Sequence, residues 1–251
     1  MTLDPGKSGY TILVSGDSIS RGVVYDESRR KYSLLEDCYV GRLSGLLKGA
    51  VHNAARFGNT VTRGLARLAA EVAARKPDIV LLEYGGNDCN FDWAAVARAP
   101  EADHRPRTDY DSFKRLLSDE IARLQKAGIT PALMTLPPVD AERYLGFISG
   151  GAAAARENIV RWLGGVTKLY WWQERYNAAL AAVAAGTGVR LMDVRSAFLE
   201  TPDFRALLCA DGIHPNAAGH RVIADAILAY IVLNRPFLLK GDQAAIRPLT
   251  T

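Results

Sequence analysis

Tyr10-Thr11-Ile12-Leu13-Val14-Ser15-Gly16-Asp17-Ser18-Ile19 is a short apolar run that ends abruptly in a small, polar turn. Such a run, bounded by Ser, Gly and Asp, reads as a first strand over Tyr10 to Val14. The same alternation repeats along the chain. Ala50 to Asn53 reads as a short second strand, Thr62 to Arg75 as an amphipathic helix stopped before Pro77, and Asp78 to Tyr84 as a third strand turned by Gly85-Gly86. Tyr110 to Ala127 has helical spacing and ends at Gly128, and Ile129 to Leu136 is a fourth strand halted by Pro137-Pro138. Val189 to Val194 is the fifth strand, and Ala217 to Leu233 the closing helix, capped by Asn216. Strands that take turns with helices place the chain in the α/β class with a parallel sheet.

Composition narrows the partners. A chain of 251 residues is long enough for one sizeable core, and a single domain over residues 1–251 is expected. The net charge is +4, and the densest basic run, Arg29-Arg30-Lys31, is too short for a nucleic-acid footprint and reads as solvated surface. Cys38, Cys89 and Cys209 are odd in number, scattered and without metal-ligand spacing, so neither a disulfide framework nor a metal site is expected. No window approaches the ~20 unbroken apolar residues of a membrane span. The start, Met1-Thr2-Leu3-Asp4-Pro5-Gly6, lacks the basic-then-apolar pattern of a leader, and a soluble cytoplasmic protein is expected.

Two stretches break the rhythm. Asp88 to Thr108 is a long connection carrying Phe91 and Trp93, and Val139 to Tyr176 concentrates Tyr144, Phe147, Trp162, Tyr170, Trp171, Trp172 and Tyr176. Both leave strand ends, and in an open parallel sheet ligands bind in the crevice outside the carboxyl ends of the strands. The stretch 139–176 therefore reads as a substrate-binding cap, with Trp162, Trp171 and Trp172 as substrate-binding residues. The competing reading makes Trp162 to Tyr176 one helix of ordinary core aromatics.

Chemistry-bearing residues recur at these strand ends. Gly16-Asp17-Ser18, Asn53-Ala54-Ala55-Arg56-Phe57-Gly58-Asn59-Thr60 and Gly85-Gly86-Asn87-Asp88 each follow an expected strand, and Asp211-Gly212-Ile213-His214 precedes the closing helix. A serine, a histidine and a carboxylate are the parts of an activated nucleophile. Asp211 stands three residues before His214 and can fix its tautomer if the loop brings the side chains together, a turn that Gly212 permits. The middle segments add turn glycines and, at Asn87, an uncharged side-chain donor.

The four segments, in this order, closely resemble those of the SGNH hydrolases, also called the GDSL esterase and lipase family, over nearly the whole chain. That resemblance implies a flavodoxin-like three-layer α/β/α sandwich with a five-stranded parallel sheet. It also implies Ser18 as nucleophile, His214 as base and Asp211 as its partner, with Ser18, Gly58 and Asn87 forming the oxyanion hole and no cofactor. The expected activity is hydrolysis of an ester through an acyl-enzyme, with a small acyl group on a polar or carbohydrate acceptor. Alternatives within the family are thioesterase, lysophospholipase or acyltransferase activity. The alternative of another class is a nonenzymatic flavodoxin-like module that binds a flavin or nucleotide at the same edge.

Other candidates carry less. Gly6-Lys7-Ser8 lacks the leading glycine of a phosphate loop and reads as a flexible terminus. Phe147-Ile148-Ser149-Gly150-Gly151 lacks the spacing of a nucleophile elbow, which leaves Ser149 in a loop. His52, His104 and His220 are expected in surface or capping roles.

Overall fold

The computed structural model describes residues 3–241, so the domain ends expected at residues 1 and 251 lie outside the described residues. In chain order, β1 (Tyr10–Gly16) leads into the short helix α1 (Ser18–Arg21), the strands β2 (Val23–Asp26) and β3 (Lys31–Leu34), and α2 (Tyr39–Leu46). Next come β4 (Gly49–Asn53), α3 (Val61–Arg75), β5 (Ile79–Glu83), α4 (Trp93–Arg98), α5 (Tyr110–Lys126) and β6 (Thr130–Met134). The chain continues through α6 (Ala141–Ile148), α7 (Ala153–Leu163), α8 (Thr167–Thr187), β7 (Arg190–Met192), α9 (Val194–Leu199) and α10 (Ala217–Asn234).

Five strands form one parallel sheet in the order β4-β1-β5-β6-β7. Side chains alternate across it, as a strand period of two requires. Leu13, Val80, Leu82 and Leu133 face α3, α5 and α8, while Ile12, Val14, Leu81, Ala132 and Met134 face α2, α9 and α10. Each such aliphatic side chain contributes roughly 1.5–3 kcal/mol when fully buried, which is what holds helices to both faces. The result is the three-layer α/β/α sandwich. Helix starts follow local chemistry: Thr60 caps α3, Asp109 caps α5, and Asn216 Oδ1 accepts from the N–H groups of Ala218 and Gly219 to cap α10. α10 has the length and apolarity of a minimal membrane span. Ile223, Ala224, Ile227 and Ile231 nonetheless form a buried stripe against the sheet.

Several expectations change. The antiparallel hairpin β2–β3 stands outside the sheet, and β3 is exposed throughout, so it carries no apolar alternation to announce it. α2 begins after Cys38, which makes no side-chain cap bond, and thus lacks a start signal. The stretch 139–176 is not one insertion. It comprises α6, α7 and the first half of α8, and its expected limit at Tyr176 falls inside a helix that runs to Thr187 and buries Leu180 and Val183 on the sheet. Trp162 and Trp172 do not share a helix either, because Gly164 and Gly165, at φ +80° and +152°, break the chain between them. Phe91, Trp93, Val96, Tyr144, Leu145, Ile159 and Leu169 build a separate apolar cluster from these helices and α4. Lys7 is not in a loose end: its ammonium bonds both Asp78 carboxylate oxygens at 2.6 Å, and Asp78 Oδ2 accepts the Thr11 N–H at 2.8 Å.

Candidate active site

Ser18 is the first residue of α1, directly after β1, and is 6% exposed. Asp17 caps that helix through its carboxylate and the Ile19 N–H, 2.9 Å apart, which sets the sharp corner on which Ser18 sits. His214 approaches from the far end of the chain. Its loop is pinned by the Cys209 N–H on the His214 carbonyl at 2.8 Å, the Gly212 N–H on the Cys209 carbonyl at 3.0 Å and the Asp140 N–H on the Gly212 carbonyl at 2.9 Å. Gly212 has φ +78°, and a Cβ there would stand 2.7 Å from both Asp140 O and Tyr144 N. The turn expected at this glycine thus also depends on the close approach of α6.

The Ser18 hydroxyl donates to His214 Nε2 at 2.8 Å, and His214 Nδ1–H donates to Asp211 Oδ2 at 2.6 Å. The tautomer is assigned from the second bond, since a carboxylate only accepts. Asp211 is completely buried, and its Oδ1 accepts the N–H groups of Ile213 at 3.2 Å and His214 at 3.1 Å. The three side chains expected to act together are therefore in one hydrogen-bonded line. Such a line can take a proton from the serine as it attacks and stabilise the imidazolium that results.

Gly58 and Asn87 border the same cavity as Ser18 and His214. Neither the Ser18 N–H nor the Gly58 N–H donates to another described residue. An added Cβ at Gly58 would meet no protein atom within 4 Å, and its φ of +70° by itself favours glycine there. Asn87 Nδ2 donates to Asp17 Oδ2 at 3.0 Å, which leaves its second amide hydrogen for another acceptor.

The cavity has a volume of about 300 Å³. Leu136, Val139, Leu169, Ile148, Trp93 and Trp172 give it apolar walls, and Asn90, Arg107 and Gln173 supply polar groups. Of the three tryptophans expected to bind substrate, only Trp172 lines it. Trp162 packs edge-on against Phe91 and His104, and Trp171 is 43% exposed with Lys168 and Arg175 over its ring. Their helical phase turns them away. The sequence reading missed a second group, Tyr32 from β3 and Phe57, whose rings lie 5.2 Å and 6.2 Å from the His214 ring. Phe57 carried a signal in its place beside Gly58; Tyr32 carried none. Ser149 caps the end of α6, its hydroxyl on the Gly146 carbonyl at 3.0 Å.

Burial tunes the neighbours. Asp88, holding the Val61 N–H and the Thr108 hydroxyl, is pushed up to about 6 by burial. Burial also raises the Cys89 thiol and takes Cys209 up to about 11, so both stay protonated, and among the described residues all three cysteines are unpaired. His220 is not on the surface. It is completely buried behind Tyr39, and burial, then the charges of His214 and Arg42, lower it to about 4.

Fold and constellation together suit a hydrolase, and the family and relatives that the chain matches make it a carboxylic ester hydrolase. The model of the GDSL-like lipase/acylhydrolase family matches residues 14–222, and the chain belongs to that family. It is 28% identical over 236 residues to an acetylxylan esterase of Geobacillus stearothermophilus, covering 89% of this chain and 94% of that one. A GDSL esterase/lipase of Arabidopsis thaliana is 26% identical over 166 residues, 63% of this chain and 56% of that protein's length. Thioesterase 1/protease 1/lysophospholipase L1 of Escherichia coli K12 is 40% identical over a shorter stretch, 31% of this chain and 35% of that one. Among solved structures, a lipase/acylhydrolase from Enterococcus faecalis superposes with a TM-score of 0.64 at 22% identity, covering 96% of this chain and 100% of that one. A catalytic mutant of an acetylxylan esterase from Geobacillus stearothermophilus superposes at 0.61 and 22% identity, covering 96% of this chain and 98% of that one.

Proposed function

We propose that this protein hydrolyses a small-acyl ester of a polar or carbohydrate acceptor through an acyl-enzyme on Ser18. The observation that carries the mechanism is the unbroken line from Ser18 Oγ through His214 to Asp211, at 2.8 and 2.6 Å. As Ser18 Oγ bonds to the acyl carbon, its proton passes to His214 Nε2 and the carbonyl electrons move onto oxygen. The N–H groups of Ser18 and Gly58 and the second Asn87 amide hydrogen are the donors available to that oxygen. Collapse expels the acceptor oxygen, which takes the proton from His214, and the returning imidazole then activates water against the acyl-enzyme.

The acceptor preference is supported by the mixture of aromatic faces and hydrogen-bonding groups in the cavity, a combination suited to a sugar ring. The name of the relative that matches over almost its full length points the same way. One observation favours a second reading, hydrolysis of a longer acyl thioester or lysophospholipid: the wall of Leu136, Val139, Ile148 and Leu169 could shelter an acyl chain.

Intact-mass analysis with acetyl, butyryl and octanoyl activated esters tests both. An adduct on the wild type that Ser18→Ala abolishes, with kcat/KM highest for acetyl and rising further on acetylated oligosaccharides, supports the first. Preference for octanoyl selects the second, and turnover by Ser18→Ala would refute the mechanism.

A further inference from the structure

Behind Ser18 lies a buried acidic pair that the acyl-transfer steps do not use. Glu83, the last residue of β5, is 0% exposed, and Asp17 is 1% exposed. Glu83 Oε2 accepts the Asp17 N–H at 3.1 Å, the Ser20 N–H at 3.3 Å and the Ser20 hydroxyl at 2.8 Å, while Glu83 Oε1 receives no donor. The hydroxyl of Tyr39 completes Ser20 by donating to its Oγ at 2.6 Å. Gly16 belongs to this arrangement, because a Cβ there would stand 2.7 Å from both Glu83 Oε2 and Ser20 Oγ.

The two carboxyl groups are buried neighbours: the Asp17 N–H reaches Glu83 Oε2 at 3.1 Å, and burial, then the Asp17 charge, raises the Glu83 carboxyl. Adjacent carboxylates away from water cannot both stay ionised, so the pair keeps one proton. Its position follows from the donors already in place. Asp17 Oδ1 accepts from Ile19 and Oδ2 from Asn87, and Glu83 Oε2 has three donors, which leaves Glu83 Oε1 as the oxygen that carries the hydrogen. Burial, then the Asp17 charge, holds the Glu83 carboxyl well above the usual carboxylate range. Asp17 is raised by burial too, but the Ile19, Glu83 and Asn87 hydrogen bonds oppose it.

The location of that proton decides which way Asn87 faces. A side-chain amide presents oxygen on one side and NH₂ on the other with nearly the same shape, so only its partner fixes the orientation. An Asp17 carboxylate can only accept, which holds the NH₂ toward Asp17 and keeps its second hydrogen on the cavity side. A protonated Asp17 would donate to the amide oxygen and could no longer enforce that orientation.

We propose that Glu83 is an uncharged positioning residue for the oxyanion site: its O–H donates to Asp17, and Asp17, kept as a carboxylate, orients the Asn87 amide as a donor. This rests on the acyl-enzyme reading above. It assigns the first two members of Gly16-Asp17-Ser18 to the same device, one making room for Glu83 and the other transmitting its effect.

Two isosteric variants at opposite ends of the pair test it, with kcat and KM on an acetyl ester and melting followed by circular dichroism. In Glu83→Gln the amide N–H replaces the O–H as donor to Asp17, and kcat stays within about threefold of wild type. In Asp17→Asn a donor can face Asn87, and kcat falls about 10²-fold with KM within about twofold, as for Asn87→Ala. The two losses do not add: Asp17→Asn costs less than about threefold more in an Asn87→Ala background. Equal loss in Glu83→Gln and Asp17→Asn would overturn the proposal, as would a full additional loss in the double variant. Absence of a Ser18 adduct in the wild type would remove the acyl-enzyme reading and this proposal together. A retained adduct with additive losses would remove the proposal alone.

Discussion

Asp211→Asn isolates the step on which the mechanism turns. In the wild type Oδ1 of Asp211 already accepts two backbone N–H groups, at 3.2 and 3.1 Å, and Oδ2 accepts from His214 Nδ1 at 2.6 Å. An asparagine has one oxygen for these two places. If the oxygen stays on the backbone donors, the NH₂ faces Nδ1, the ring hydrogen must move to Nε2, and the nitrogen 2.8 Å from Ser18 Oγ can no longer accept its proton. If the amide turns over, its NH₂ meets the N–H groups of Ile213 and His214, two donor–donor contacts in a site with no exposed surface. The first arrangement is the less costly, and it gives the wrong tautomer. A loss of about 10⁴-fold in kcat/KM is expected, equivalent to about 5.4 kcal/mol of transition-state stabilisation. Asparagine is isosteric with aspartate, so the fold should persist. The assay is the rate of appearance of the acyl adduct by rapid-quench mass analysis on an activated acetyl ester, beside a melting curve. A folded variant within tenfold of wild type would refute the tautomer argument.

Two further outcomes separate residues that the sequence grouped or dismissed. Trp172→Ala should change the ratio of kcat/KM between a bulky and a minimal acetyl ester by 10-fold or more, about 1–3 kcal/mol, whereas exposed Trp171→Ala should leave that ratio and the stability within about 0.5 kcal/mol. Trp162→Ala should instead lower stability by up to about 3–5 kcal/mol with the ratio unchanged, and a selectivity change there would place the ring at the substrate after all. For buried His220 the sign follows from its folded value of about 4, below the ordinary value near 6.5: the unfolded chain takes up a proton first, so stability is full above pH 6.5 and is lost as pH falls toward 4. Urea unfolding at pH 7.5 and 4.5 should show His220→Asn losing about 2–3 kcal/mol less than wild type between the two. Asp88, raised to about 6, acts with the opposite sign but equally in both proteins, and equal losses would contradict the burial argument.

What the sequence disclosed follows the range over which each signal acts. The central strands were legible because both faces of β1, β5 and β6 are covered, which forces continuous apolar runs bounded by Gly and Pro. The Asp211–His214 pair was legible because the two partners stand only three positions apart on one loop. Ser18 lies 196 positions from His214, and only the order of strand ends on a parallel sheet suggested that they meet. β3 remained hidden because an exposed hairpin needs no apolar face, and with it went Tyr32. The tryptophans failed for a different reason. Their identity was visible, but whether a ring enters a cavity depends on helical phase, and the break at Gly164-Gly165 resets the phase between Trp162 and Trp172.

Glu83 shows the same limit from the other side. In the strand read over Asp78 to Tyr84 it is a single polar residue between Leu82 and Tyr84, just before the Gly85-Gly86 turn, and nothing local distinguishes it from a solvated strand end. Its burial comes from β1 alongside, which pairs Gly16 with Glu83 in register and brings Ser20 and Asp17 over its carboxyl. A charged group in that position would carry a heavy desolvation cost, and an apolar one would leave the Asp17 N–H and the Ser20 N–H without acceptors. A carboxyl group that holds its own proton meets both demands, since one oxygen accepts while the other donates. The chemistry of Gly16-Asp17-Ser18 is accordingly a property of two neighbouring strands, and the motif is complete only when β5 is read with it.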